Sequence, residues 1–209
     1  MRTAEIRSMI QQAISDEERT GRLANTLGQL ARQSGANPSE QEVQSAVSFV
    51  RQYVEHVPQY LEQGGVVAMQ LGLDAEMRQV LRELEDYWFE ANDIIPDHLG
   101  LMGLMDDAYA SFVLLQSLSD YCQAEFGRPL LQQNYTQPNQ GMRRLIGEPA
   151  ASMLEQRVGI IVGNAMMQRM LGQIVNHGFP GFGESPDPIW GNASVEEIAN
   201  ARLGALGIA

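Results

Sequence analysis

The chain has 209 residues, 44% hydrophobic and 19% charged, enough to bury a core in one or two globular domains and too apolar for a disordered chain. A net charge of −12, with Arg143-Arg144 as the only adjacent basic pair, excludes the clustered cations that nucleic-acid binding requires and disfavours an anionic membrane surface. The single cysteine, Cys122, excludes an intramolecular disulfide and a Cys-built metal site; the first twelve residues lack an apolar signal core, so the expected location is cytoplasmic.

All 14 basic residues are arginine, and lysine is absent. Arginine pairs bidentately with carboxylates, which suits so acidic a chain.

The apolar spacing predicts an all-α protein, an irregular bundle of about six helices. Residues 4–33 read as helix, with Ile6, Ile10 and Ile14 and then Leu23, Leu27 and Leu30 on helical stripes. A break near Ser15 is expected, with Ser15 and Glu18 as a capping box for the second part. The next helix is expected over residues 38–60, with Asn37 as N-cap, Pro38 in the first position and Val43, Val47, Val50 and Val54 on one stripe. Gly64-Gly65 is read as its terminator. Asp74 is expected to cap a helix over 74–90 and Asp106 one over 106–126. The Gln-, Asn- and Pro-rich stretch 128–140 reads as a connection between an N-terminal region, 1–127, and a C-terminal region, 128–209, packed together as one unit. Pro149 opens a long helix to about 176, residues 178–192 read as loop, and Ser194 with Glu197 marks a last helix. No stretch shows convincing strand alternation. The most apolar window, 158–175, contains Asn164, Gln168, Arg169 and Gln173, which argues against a membrane span.

The loop between the central helices carries the densest pattern. Asp93-Ile94-Ile95-Pro96-Asp97 is followed by Gly103 and then Asp106-Asp107, with Tyr87 upstream. This stretch, roughly 87–117, resembles the YkvA-like domain family in its Asp, two aliphatics, Pro and Asp, its Gly and its closing Asp pair. Ala91 and Gly100 stand where the family usually has proline, and His98 where it has an apolar residue. The resemblance implies a structural unit of two helices joined by an elbow, and no settled activity. The family's hydrophobic following helix implies membrane association as a third option, although Ser111, Gln116, Ser117 and Ser119 interrupt that helix here. Read from the residues, Pro96 ends the preceding helix, and Ile94, Ile95, Leu99, Leu101, Met102, Leu104 and Met105 must fold back onto the core. Asp97 and Asp106 are expected to cap helix starts. Asp93, Asp97, Asp106 and Asp107 are also hard oxygen ligands of the kind that bind Mg, Mn or Ca, so an ion-binding protein or divalent-metal enzyme is the alternative to a structural role.

No Gly-x-Ser-x-Gly, phosphate-loop or dinucleotide pattern is present, and the reading leans away from an enzyme, with no catalytic residue assigned. The best-supported expectation is a protein–protein interaction or regulatory subunit, with a protein partner or self-association. The 11 methionines suit adaptable surfaces as well as cores. Met166, Met170, Phe179 and Phe182 are the candidate partner-binding residues.

Overall fold

The computed structural model describes residues 2–90 and 94–175, without the side chains of residues 97, 168 and 170–175. The described residues form seven α-helices: α1 (Thr3–Thr20), α2 (Arg22–Gln33), α3 (Glu40–Gln70), α4 (Asp74–Trp88), α5 (Met105–Phe126), α6 (Thr136–Ile146) and α7 (Ala150–Val175), with 3-10 turns over Asp97–Met102 before α5. Among the described residues there is no strand, and no helix is long and apolar enough to cross a membrane. The expected all-α class holds. The expected loop 178–192 and last helix lie outside the described residues.

Several boundaries differ from the sequence expectation. The first break falls at Gly21, whose φ of 58° is a left-handed conformation that glycine adopts without steric cost. Ser15 and Glu18 form no cap there; Glu17 does that work. Its carboxylate accepts the N–H groups of Leu23 and Ala24 at 2.8 and 3.1 Å, satisfying orphan donors in the first turn of α2. Ser39, and not Asn37, caps α3, in a reciprocal capping box with Glu42. α3 then runs past Gly64-Gly65 to Gln70. A Cβ on Gly64 would stand 3.2 Å from Leu115 Cδ2 and 3.4 Å from Leu130 Cδ2, so this glycine permits close approach of α5 instead of ending the helix. Asp74 lies in the first turn of α4, which starts without a side-chain cap.

The stretch expected to be a connection contains the start of α6. Its Asn139 is buried and accepts a hydrogen bond from the Tyr53 hydroxyl at 2.6 Å. Phe112 of α5 stacks on Tyr135, just before α6, with centroids 4.1 Å apart. One continuous core runs from Ile6 to Ala165 and draws on all seven helices, so residues on both sides of position 127 share it.

Arginine ties the helices together at the surface. Arg7 of α1 holds Glu62 of α3 bidentately, at 2.8 and 2.9 Å, and Arg51 of α3 reaches Glu18 of α1 at 2.7 Å. These are exposed pairs, each worth at most about 1 kcal/mol.

Candidate functional sites: an acidic elbow and the outer face of α7

The elbow folds back as its apolar content requires. Leu101, Leu104 and Met105 are buried, and Ile94, Ile95 and Met102 pack against the core. The 3-10 turns lie on α1 and α2. Gly100, at φ 69°, bends them where the chain passes the backbone carbonyl of Ala13, 3.9 Å from where a Cβ would stand. Arg22, at the start of α2, donates to the carbonyl of His98 at 2.9 Å.

Asp106 and Asp107 lie in the first turn of α5, both fully buried. The N-cap position of α5 is Leu104, without a side-chain cap, so Asp106 does not cap its own helix as expected. Its Oδ2 instead accepts the backbone N–H of Ile95 and the hydroxyl of Tyr87, each at 3.1 Å. One carboxylate thus joins the end of α4, the elbow and the start of α5. Burial pushes its pKa up, and the Ile95 amide, the Tyr87 hydroxyl and the N–H groups at the start of α5 pull it partway back. Beside it, the Trp88 indole donates to Ser111 Oγ at 3.0 Å, and that hydroxyl donates to the carbonyl of Asp107 at 2.8 Å.

The four candidate metal ligands are therefore not all visible together. Asp93 and the side chain of Asp97 lie outside the described residues. Among the described residues, no three His, Cys, Asp or Glu side chains come together to hold a metal ion.

A cleft of about 400 Å³ opens between α1, α2 and α3, over Ile14, Val47 and Leu101. Its charged groups already serve one another and the fold: Glu17 caps α2, and Glu18 pairs with Arg51.

The second candidate surface belongs to α7. One side of this helix buries Ala151, Leu154, Val158, Ile161 and Ala165 against the bundle, at the spacing of an inward-facing seam. Glu155 fixes that side further, accepting from the Tyr109 hydroxyl at 2.5 Å and from Arg143 at 2.8 Å. The opposite side carries three large apolar side chains among polar residues and glycines. Met153, Ile160 and Met167 are 56%, 58% and 64% exposed and recur every seven residues, so they line one stripe. Gly159 and Gly163 flank it, and no atom lies within 4 Å of where either would carry a Cβ.

Met166, expected to face a partner, is partly buried and lines a small apolar void with Leu118 and Cys122. Its neighbour Met167 takes the outward position, because successive helical residues lie about 100° apart. The Met170 side chain, Phe179 and Phe182 lie outside the described residues. The spacing of Met153, Ile160 and Met167 was the signal in the sequence for this stripe. It was hidden by the equally apolar inner seam of the same helix. The chain matches no family model, no curated protein and no solved structure.

Proposed function

We propose that this chain is a protein–protein interaction or regulatory subunit that works through the outer face of α7. One observation carries the reading: a helix whose inner seam is already packed in the core holds three large apolar side chains more than half exposed on its other side. Isolated exposed apolar residues are ordinary on any protein. A line of apolar side chains at regular turns of one helix is the arrangement that partner helices recognise. Methionine at two of the three positions suits such a surface, because its unbranched, polarisable side chain adapts to a facing one.

A photo-reactive residue at position 160 tests this in the cell of origin. The expected result is a discrete cross-linked species of defined mass, with none when the same group stands at exposed Gln41 on α3. Absence of any discrete adduct at position 160 would overturn the reading.

A further inference from the structure

We infer that the occupant of this face is a second copy of the chain, with the two α7 helices antiparallel about a two-fold axis at Ile160. The inference rests on the interaction reading above and names its partner.

The order of residues along the stripe is self-complementary. A two-fold contact is isologous, so the surface must complement itself. When antiparallel helices meet at residue 160, a residue k positions before it stands level with the residue k positions after it in the other copy. Ile160 then meets Ile160. Met153 stands opposite Met167, and Gln156 opposite Asn164, seven and four residues from the centre. All five residues are exposed, and each falls within about 40° of Ile160 around the helix at 100° per residue. The pattern is a chemical palindrome: apolar opposite apolar, amide opposite amide. A parallel pairing would instead set each residue against its own copy and make no use of this symmetry. Gly163 borders one side of the stripe without a side chain.

Charge points the same way. The chain carries −12, so two copies repel, and they do so least where the contact surface itself is free of acid. Ser152, Met153, Gln156, Arg157, Gly159, Ile160, Gly163, Asn164 and Met167 are exposed on α7, and not one is a carboxylate. Arg157, the single charge among them, is paired with Glu90 at 3.0 Å and lies over the Tyr87 ring. A neutral, self-matching face on an acidic protein suits its own copy better than a basic partner, which would find more charge almost anywhere else. One helix face is a small interface, so the dimer should depend on concentration. It should tighten with added salt, which screens the repulsion of the two bodies.

The test uses the full chain and oxidative cross-linking. Cys122 is buried, with its thiol pushed up to about 11 by burial, so it stays out of the reaction. Ile160→Cys should give a reducible covalent dimer under mild oxidation, because the two sulfurs meet at the axis. Met153→Cys should not, because its two copies stand 14 residues apart along the paired helices, on the order of 20 Å; Met153→Cys combined with Met167→Cys should restore the cross-link. Light scattering should show a dimer that tightens with salt. Ile160→Glu should weaken it on the order of 100-fold or more while leaving the helix content unchanged, since it places two carboxylates at a desolvated contact. A dimer that cross-links through Met153→Cys without Met167→Cys, whether or not Ile160→Cys also cross-links, overturns the antiparallel arrangement. A monomer whose photo-adduct at position 160 joins a different protein, or joins residues 176–209 of the same chain, overturns the second copy as occupant. In the first of those cases the interaction reading stands; a monomer with no adduct removes both.

Discussion

The carboxylate of Asp106 accepts the backbone N–H of Ile95 at 3.1 Å, eleven residues back along the chain, from a position with no solvent exposure. The same oxygen accepts the Tyr87 hydroxyl, so a single side chain holds the elbow closed. Asp106→Ala would leave the part-buried Ile95 N–H and the buried Tyr87 O–H without this acceptor, a loss of about 1–3 kcal/mol. Asp106→Asn keeps an oxygen in the same place and removes the burden of a buried charge, so it should lose no more than about 1 kcal/mol. Urea denaturation of the two variants beside the wild type measures this. Equal losses would show that the acceptor does not hold the elbow.

The same carboxylate gives the fold a specific pH dependence. Burial raises its pKa in the folded state above the ordinary aspartate value. The folded protein therefore binds this proton more readily than the unfolded chain. Its favourable contribution is complete below the ordinary aspartate pKa and is lost as the pH rises through the raised folded value. Glu5 and Glu62, held below the usual carboxylate range by hydrogen bonds from Arg2 and Arg7, act in the opposite sense and lose their contribution as the pH falls. Subtracting the Asp106→Asn curve from that of the wild type isolates the aspartate. The variant should gain on the wild type as the pH is raised from the aspartate range and then level off. A difference that stays flat with pH would show that Asp106 is not destabilised by its burial.

Elements with strong periodicity were legible in the sequence, and contacts made across the fold were not. Ile6, Ile10 and Ile14 announce α1 because a stripe of three β-branched residues at helical spacing has one buried side to serve. Gly64-Gly65 reads as a terminator because glycine disfavours helix locally, by about 1 kcal/mol per residue. No local rule reveals that Leu115 and Leu130 need the space above Gly64. Asn139 sounds like a loop residue until Tyr53 is found donating to it. At the elbow, the apolar residues correctly required a fold back onto the core. The task of Asp106 was misread, because a first-turn aspartate has the sequence signature of a cap, while its partners are set by tertiary geometry. On α7, large apolar residues occur on both the inner and the outer face, so sequence alone could not say which methionine points out.

Glu17 supplies a cap from the helix before the one it serves. Gly21 occupies the N-cap position of α2 and has no side chain to offer, so the N–H groups of Leu23 and Ala24 depend on this carboxylate. Glu17→Ala should cost about 1 kcal/mol, up to roughly 2, the usual range for a lost cap. Glu17→Gln keeps one acceptor oxygen and should recover part of the loss. Amide hydrogen exchange is the sharpest check, because protection should fall first at residues 23 and 24. If those two amides remain as protected in Glu17→Ala as in the wild type, the cap is supplied elsewhere.

Adjacent glycines in α3 should respond differently to alanine. Both lie inside a helix, where replacing glycine by alanine gains about 1 kcal/mol from propensity. At Gly65 nothing lies within 4 Å of the new Cβ, so Gly65→Ala should keep that gain and raise stability by about 0.5–1 kcal/mol. At Gly64 the new Cβ would stand 3.2 Å from Leu115 Cδ2 and 3.4 Å from Leu130 Cδ2, closer than packed carbon atoms prefer. Leu115 is fully buried and Leu130 nearly so, so neither side chain can move aside without disturbing its own neighbours. Overpacking of this kind costs about 1–3 kcal/mol, enough to cancel or exceed the propensity gain. Gly64→Ala should therefore be neutral to destabilising where Gly65→Ala stabilises, and thermal melts of the two variants at equal concentration decide it. Equal stabilisation by both would show that α3 and α5 do not depend on Gly64 for their close approach.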